Sequence, residues 1–436
     1  MSTPSSSDLV IAVVGTCDSK LQELLRLRQL TLDAGATSVI LIDGGRFPVS
    51  HDAITVSRTR TPGFLSDSQI AQIDDPSSDR SGGLKIMTEA ITSYVKGLFS
   101  RGEIHGILSA GGSGGTSLAA PVMREALPIG FPKLLVSTVA SGDVGPVVGE
   151  ADVTMMYSVV DIAGSNELLE RIFANAAGAI VGMAKSWKAS SPSSPRQAQG
   201  AEQHNTIERR RKRIGVTMFG VTTPCVNKVR EILEARYDHE VFVFHATGHG
   251  GKAMERLVAE GRLDAVLDLT TTEVCDELFG GNMSAGPLRL EAAAKRGIPC
   301  IVSVGATDMV NFGPRGTVPE KYAKAEADRL LYEHNAYVTL MRTTAEECKA
   351  VGSWIAAKLK SHCTDQSKVK VILPLGGVSL IATPGGPFAN QEADEALVAA
   401  IRKDLQGTEI EVIERKEDIN HEAFAECVVK MLTTLL

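Results

Sequence analysis

A glycine-dense segment, residues 109–117, is the first place in the sequence where chemistry is expected. Four glycines lie between positions 111 and 115, directly after the apolar run "IHGILSA" and directly before the helix-like "TSLAAPVMREAL". Glycine at this density weakens helices and strands, but it lets backbone N–H groups converge on an anion. A tight turn that needs positive φ would account for one or two of these glycines. An anion-binding loop between a strand and a helix would account for all four.

The segment departs from the two common phosphate-binding motifs. No Lys-Ser/Thr pair follows the glycines, as a Walker A loop requires, and Ser117 stands where G-x-G-x-x-G has its last glycine. The charge for an anion must then come from a helix N-terminus and from cations elsewhere. Thr116 or Ser117 is a candidate N-cap for the helix and a further hydroxyl donor. The ligand candidates of this loop are Gly111, Gly112, Ser113, Gly114, Gly115, Thr116 and Ser117.

Two further predicted strands of the first half also end in polar loops. In "GTCDSK", Lys20 could neutralise a phosphate, and Asp18 is either a ligand contact or the N-cap of a helix that starts near Leu21. In "LIDGGR", Asp43 is a candidate for a ribose hydroxyl and Arg46 for a phosphate. The remaining candidates in these loops and in a third, "VASGD", are Gly15, Thr16, Gly44, Gly45, Ser141 and Gly142.

The second half carries its own candidate residues at predicted strand ends. His245 and His249 have the i, i+4 spacing of helical zinc ligands, but the glycines around them predict a loop. We therefore expect either contact with a phosphate or polar ligand there or a packing role, and we predict no metal site. Asp268 and Glu273 offer a carboxylate pair without a firm third partner, so no hydrolytic site is predicted. The ligand candidates are His245, Thr247, His249, Gly250, Thr271, Thr272, Glu273 and Asp308.

Composition narrows the class of protein. A chain of 436 residues exceeds the size at which one core stops growing, so two domains are expected. A net charge of -7 argues against a nucleic-acid or anionic-membrane surface. The seven cysteines are scattered without a C-x-x-C pair, which suits a reducing compartment. With neither a signal peptide nor an apolar run long enough to cross a bilayer, we expect a cytoplasmic protein.

The strongest break in the pattern is a polar segment, residues 186–213, rich in Ser, Pro and Gln. On each side of it, apolar strand-like runs alternate with amphipathic helices, and the two sides have the same order of elements. The sequence therefore predicts two Rossmann-like, doubly wound α/β domains with mainly parallel sheets, and an internal duplication could have produced them. We place the first domain at 1–185, a flexible linker at 186–213 and the second domain at 214–436. A late strand within 368–379 could join either sheet.

Several long motifs resemble a known family. They are "GGSGGTSLAAPVMREALPIGFPKLLVSTVASGD", "MMYSVVDIAGSN", "FHATGHGGKAMERL", "DLTTTEV" and "GATDMVNFG". Together they resemble the Tm-one-like ATP-binding domain family, which includes the N-terminal inhibitory domain of a plant tobamovirus-resistance protein. The resemblance implies two Rossmann-like subdomains, a homodimer, and ATP, with or without Mg²⁺, bound by "GTCDSK", "GGR" and "GGSGGTS". The virus-binding role of the plant protein is not carried over.

Two hypotheses of function follow from these residues. The first is an ATP- or nucleotide-binding protein with little or no turnover, which acts through conformational or partner coupling. The alternative is an enzyme that acts on a small phosphorylated or carboxylate metabolite in an interdomain cleft, using the His and carboxylate residues of the second domain. The glycine loops without a Walker lysine or an evident catalytic base favour the first hypothesis.

Overall fold

The computed structural model describes residues 8–75, 80–190, 211–324 and 328–436. The chain divides into two compact units, Met1–Glu208 (unit 1) and Arg209–Leu436 (unit 2). Most of the predicted linker, residues 191–210, lies outside the described residues. Its first five residues belong to a helix that ends at Ser190, because the Trp187 ring packs edge-on against Phe131 at 5.4 Å.

Unit 1 is built on one six-stranded sheet. Its strands are β1 (Val10–Gly15), β2 (Ser38–Asp43), β3 (Ile54–Val56), β4 (Gly106–Gly111), β5 (Lys133–Ser137) and β6 (Thr154–Tyr157). Its helices are α1 (Cys17–Asp33), α2 (Asp67–Asp74), α3 (Arg80–Ser100), α4 (Ser113–Ala126), α5 (Gly145–Val148) and α6 (Glu167–Ser190). The strand order is β3-β2-β1-β4-β5-β6, and every neighbouring pair is parallel. This is the doubly wound order of dinucleotide-binding folds.

Two apolar layers cover the sheet of unit 1. On one face α1 and α6 pack through Leu24, Leu27 and Phe173. On the other face α3 and α4 pack through Ile91 and Leu118. All six residues of β1 are buried, since a strand covered on both faces has no side that tolerates polar residues.

Unit 2 carries a second parallel sheet. Its strands are β7 (Arg213–Met218), β8 (Glu240–His245), β9 (Ala265–Thr270), β10 (Cys300–Gly305), β11 (Met309–Phe312), β12 (Leu331–Asn335), β13 (Val338–Arg342), β14 (Val369–Pro374) and β15 (Glu411–Arg415). Its helices are α7 (Thr223–Tyr237), α8 (His249–Ala259), α9 (Thr272–Phe279), α10 (Ala292–Arg296), α11 (Glu320–Ala323), α12 (Ala345–His362), α13 (Gln391–Leu405) and α14 (Glu422–Leu435).

The main sheet of unit 2 has the order β15-β14-β10-β9-β7-β8, with every pair parallel. The prediction of two α/β domains with mainly parallel sheets is therefore confirmed. The late strand, left open by the sequence, is β14, and it pairs with β10 and β15 inside unit 2. A separate antiparallel sheet, β11-β13-β12, is the departure from the parallel pattern. Within the described ranges, no helix is both long and apolar enough to cross a membrane.

Helix packing in unit 2 depends on a glycine. A Cβ at Gly352 in α12 would lie 2.7 Å from the carbonyl oxygen of Leu397 and 3.0 Å from the Cβ of Ala400, both in α13. We expect Gly352→Ala to lower the free energy of unfolding of unit 2 by about 1–3 kcal/mol, because the two helices must move apart. Urea unfolding followed by Trp354 fluorescence in a Trp187→Phe background measures this change.

The matched control is Gly178→Ala in α6, where a Cβ would meet nothing within 4 Å. Alanine there should stabilise unit 1 by about 0.5–1 kcal/mol through helix propensity alone. A loss of stability in both variants would contradict the packing explanation.

Candidate functional site

The topology of unit 1 creates a crevice between the carboxyl ends of β1 and β4. These two strands are neighbours, but the helices that follow them pack on opposite faces of the sheet, α1 with α6 and α4 with α3. Ligands of open α/β sheets bind at such a switch point, outside the carboxyl ends of the strands. The glycine-dense loop follows β4 and the first βα loop follows β1, so both lie at this crevice.

A cleft of about 540 Å³ occupies this crevice. Its volume lies in the range of roughly 300–1,000 Å³ that is usual for small-molecule sites. The residues that line it are Thr16, Asp18, Ser19, Lys20, Gly44, Arg46, Phe47, Gly83, Leu84, Met87, Gly111, Gly112, Ser113, Gly114 and Gly115. Three loops that are separate in sequence, after β1, β2 and β4, thus meet at one cleft.

The structure gathers some of the predicted site residues and leaves others out. Those that do not line the cleft are Gly15, Asp43, Gly45, Thr116, Ser117, Ser141 and Gly142. Sequence reasoning missed Ser19, Phe47, Gly83, Leu84 and Met87, which line it. Phe47 carried a usable signal, since it is an apolar residue directly after "GGR". In the structure it is 66% exposed.

The glycines of the loop after β4 serve different purposes. None of the four has a positive φ, so backbone conformation does not require them. Gly111 is needed for packing, because a Cβ there would lie 2.8 Å from the Cα of Gly115. At Gly112 and Gly115 the nearest atoms to an added Cβ lie 3.7 and 3.8 Å away, an ordinary contact distance. The fold therefore leaves room for side chains at Gly112 and Gly115, and the sequence has none.

The helix after this loop begins earlier than predicted. α4 starts at Ser113 with Gly112 as N-cap, so the prediction of Thr116 or Ser117 as N-cap is wrong. The physical reason is a buried hydrogen bond of 2.6 Å between the hydroxyls of Thr116 and Ser137, which ties the first turn to the end of β5. Ser117 is exposed on the helix surface.

Asp43 faces the protein interior. One oxygen, Oδ1, accepts hydrogen bonds from the amides of Cys17, at 2.9 Å, and Gly45, at 2.8 Å. Burial raises the pKa of the Asp43 carboxyl above its usual range, and the two amides oppose that rise. The side chain is 3% exposed and joins the loops after β1 and β2. Asp43 thus joins two of the loops that form the cleft, and it is not among the residues that line the cleft.

The charged side chains at the cleft differ in whether they already have hydrogen-bond partners within the protein. α1 begins with a turn at Cys17, with Thr16 as N-cap, and is kinked at Lys20, whose φ of -135° and ψ of 31° are not helical. The regular helix after the kink therefore starts at Leu21, as predicted, but Asp18 is not the N-cap. Asp18 Oδ2 instead accepts a hydrogen bond of 3.1 Å from the amide of Phe47. Arg46 donates to the carbonyl oxygen of Asp75 at 3.2 Å. The side chain of Lys20 makes no hydrogen bond or ion pair with any described residue, and Lys20 lines the cleft.

In unit 2 the predicted loop between the two histidines is present but is only three residues long, 246–248, and the glycines after His249 are helical. β8 ends at His245 and α8 begins at His249, after the N-cap Gly248. The helix forms because Glu273 Oε1 accepts hydrogen bonds from the amides of Gly248, at 2.7 Å, and Gly251, at 3.0 Å. An internal carboxylate therefore occupies these two amides of the α8 N-terminus. Gly250 lies against the backbone of His245, Thr247 is half-buried, and His249 is exposed.

A buried arginine explains why Glu273 is held there. Arg289, 1% exposed, donates from Nε to Glu273 Oε2 at 2.7 Å and from Nη2 to Asp268 Oδ1 at 2.6 Å. Asp268 also accepts a hydrogen bond of 2.9 Å from the hydroxyl of Thr217 in β7. Asp268 and Glu273 are thus partners of one cation, and the structure does not bring them together as an exposed acid–base pair.

The other candidates of unit 2 are buried at strand ends. Thr271 donates to the carbonyl oxygen of Ser303 at 3.0 Å, and the hydroxyl of Thr272 accepts a hydrogen bond of 3.1 Å from the side-chain NH₂ group of Asn311. Asp308 accepts a hydrogen bond of 2.8 Å from Ser379 through Oδ2, while its Oδ1 accepts none from any other described residue. Burial raises the pKa of the Asp308 carboxyl to about 6, although the charge of Arg342 opposes the rise. In the part of the chain that the structure describes, no group of three or more His, Cys, Asp or Glu residues could hold a metal ion.

Fold and site together define a class: a protein of two doubly wound α/β units, the first with an open cleft at its switch point. The chain belongs to the uncharacterised protein family UPF0261. The model of its N-terminal domain matches residues 9–189, and that of its C-terminal domain matches residues 211–436. This result agrees with the predicted resemblance, but the family description names no ligand.

Several relatives are similar along the whole of this chain. A UPF0261 protein of Clostridium tetani is 40% identical over 433 residues, covering 98% of each chain. One of Rhizobium meliloti is 43% identical over 423 residues, covering 96% of this chain and 97% of the relative. The ToMV resistance protein Tm-1(GCR237) of Solanum lycopersicum is 36% identical over 428 residues, 94% of this chain and 53% of the tomato protein. This chain thus spans about half the length of that plant relative.

Solved structures add little. A UDP-N-acetylglucosamine 2-epimerase is 12% identical, with 68% of this chain and 79% of that chain covered, at a TM-score of 0.18. A similarity that low carries no argument about this chain.

Alanine substitutions at Gly111 and Gly112 should differ in their effect on stability, because an added Cβ is crowded at Gly111 and has room at Gly112. We expect Gly111→Ala to lower the free energy of unfolding of unit 1 by about 1–3 kcal/mol, because backbone must move to admit the Cβ. Gly112→Ala should change it by less than about 0.5 kcal/mol, since its Cβ has room. Urea unfolding followed by Trp187 fluorescence in a Trp354→Phe background compares the two. Equal losses would show that the loop is packed differently.

Asp308 predicts a pH dependence of stability. Its pKa in the folded state is about 6, above the ordinary 3.8, so the folded state holds the proton more tightly than the unfolded state does. The free energy of unfolding of unit 2 should therefore fall as pH rises from about 4 to 6. Burial also raises the pKa of Asp276 in the same unit, to about 7, so Asp308→Asn should reduce the fall without abolishing it and raise stability at pH 8 by roughly 1–3 kcal/mol.

Urea unfolding at pH 5 and pH 8, followed by Trp354 fluorescence in the Trp187→Phe background, measures the difference. The exposed Glu426→Gln is the control, and it should leave the pH dependence of the parent protein unchanged. An Asp308→Asn variant with the parent's pH dependence would show that Asp308 does not carry it.

Proposed function

We propose that this protein binds a nucleotide, with ATP as the first candidate, in the cleft of unit 1, and that it turns the nucleotide over slowly or not at all. The observation that carries the proposal is the pair Gly112 and Gly115. Both line a cleft at a switch point and have space for a side chain, yet neither has one. A backbone left bare where the fold does not require it is typical of close approach by a ligand.

The phosphate end of the proposed site is the first turn of α4. The first hydrogen bond of the helix runs from the amide of Thr116 to the carbonyl oxygen of Gly112, so the amides of Ser113, Gly114 and Gly115 precede it. Such amides, with the positive end of the helix dipole, favour an anion. Lys20 supplies a cation whose ammonium group has no partner among the described residues.

The base end of the proposed site is apolar. Leu84 and Met87 of α3 line the cleft, and Phe47 lies beside them with its ring largely exposed. The guanidinium of Arg46 lies 5.9 Å from the centre of that ring. An adenine ring could stack on Phe47 while its phosphates reach α4, which would explain why one cleft combines bare amides with apolar side chains.

We expect slow or absent turnover because the cleft offers few side chains that could act as a general base. Among the described residues that line the cleft, Asp18 is the single carboxylate and none is a histidine. Asp18 already accepts a hydrogen bond from the backbone amide of Phe47, so it stabilises the loop and is poorly placed to activate a water molecule. Its remaining oxygen capacity suits a Mg²⁺ that enters with the phosphates. The homodimer and any protein partner remain predictions.

The proposal is tested by isothermal titration of ATP, with and without Mg²⁺, against four variants. Lys20→Ala should weaken binding by roughly 1.5–3 kcal/mol, the usual worth of one charge-assisted contact. Gly114→Val should abolish measurable binding, because a β-branched side chain would stand where the phosphates approach the second residue of α4. Both variants should unfold at the urea concentration of the parent.

Each variant has a matched control. Lys96→Ala removes an exposed lysine of α3 outside the cleft, and Ser117→Val places the same side chain on the exposed face of α4. Both controls should bind ATP as the parent does. Unchanged affinity in a folded Gly114→Val protein would rule this loop out as the phosphate site, and no heat with the parent would refute the proposal.

A further inference from the structure

Unit 2 contains a small cavity, of about 220 Å³, at the carboxyl ends of β7 and β8. Phe219 and Val221, after β7, and His245, at the end of β8, form one side of it. The hairpin of β12 and β13 forms the other side through His334 and Leu340. Its volume is less than half that of the cleft in unit 1, so it suits a small molecule rather than a nucleotide.

One wall of this cavity is flat and apolar. The rings of Phe219 and His245 are stacked, with centroids 5.5 Å apart and planes 26° from parallel. Val221, Met283 and Leu340 contribute aliphatic and thioether surface. A planar or branched hydrocarbon group would find contact on more than one side, as in most small-molecule sites.

The polar side chains of the cavity can donate hydrogen bonds. The imidazoles of His245 and His334 have no side-chain hydrogen bond or ion pair with any described residue. Asn335 Oδ1 accepts a hydrogen bond of 2.8 Å from the backbone amide of Tyr337. The side-chain NH₂ group of Asn335 therefore remains available as a donor. No Asp or Glu is among the described residues that line the cavity. A ligand that carries acceptors or a negative charge is therefore favoured over a cation.

We propose that this cavity binds a small carboxylic acid whose body is a flat or branched apolar group. The apolar body would lie against the Phe219–His245 stack, and the carboxylate would accept hydrogen bonds from His245 and His334. The two imidazoles come from different elements, a strand end and a hairpin, so they can hold a carboxylate from two sides. The proposal does not depend on nucleotide binding in unit 1.

Benzoate is the probe for this site, and benzamide and benzylamine are its neutral and cationic counterparts. Saturation-transfer NMR on the full chain should show benzoate binding more tightly than benzamide, and no saturable binding of benzylamine. Replacing both histidines, His245→Ala with His334→Ala, should weaken benzoate binding about tenfold or more, since two charge-assisted contacts are lost. His334→Gln, which keeps a donor, should lose less than His334→Ala.

The matched control is His249→Ala, which removes a neighbouring exposed histidine that does not line the cavity. It should leave benzoate affinity unchanged. Titration of ATP should give the same result in parent and double variant, which separates this site from the cleft of unit 1. Equal affinity for benzoate and benzamide, or unchanged benzoate affinity in the folded double variant, would overturn the proposal.

Discussion

The constraint on which both units depend is the crevice that a doubly wound parallel sheet opens between two neighbouring strands. Where consecutive helices leave for opposite faces, no helix covers the carboxyl ends of the two strands, and polar backbone is left facing the gap. The gap must be filled by side chains or by a ligand. In unit 1 it lies between β1 and β4 and is open, with glycines at its edge.

In unit 2 the equivalent crevice is filled by side chains of the unit itself. Its equivalent strands are β7 and β9, and Asp268 in β9 bonds to Thr217 in β7 and to Arg289. Glu273 completes the cluster and binds the amides that start α8. Burying these charges is costly, and the cost is offset only because each carboxylate has several donors. The N-terminus of α8 in unit 2 is therefore occupied by an anion that is part of the chain, and the small cavity beside it keeps residues that a ligand can contact.

The sequence was enough to predict the fold and the loops at the strand ends, because both depend on local patterns. Buried strands give continuous apolar runs, and glycine clusters mark the loops that follow them. It was not enough to predict the direction of each side chain. Asp43 stands where a ribose ligand is expected, but it turns towards the amides of Cys17 and Gly45. Leu84 and Met87 belong to an amphipathic helix, and only the packed structure shows that they reach the cleft.

The contrast between the two helix N-termini also bears on what unit 1 can hold. At α8 the carboxylate of Glu273 is tethered, so the anion loses no translational freedom when it binds. An anion at α4 must come from solution and lose roughly 4–15 kcal/mol of translational and rotational free energy. The interaction free energy of a few amides and one lysine exceeds that loss only slightly, so inorganic phosphate alone should bind weakly. The apolar surface of Phe47, Leu84 and Met87 adds contact for a larger molecule that carries phosphate at one end. The proposed nucleotide has that form.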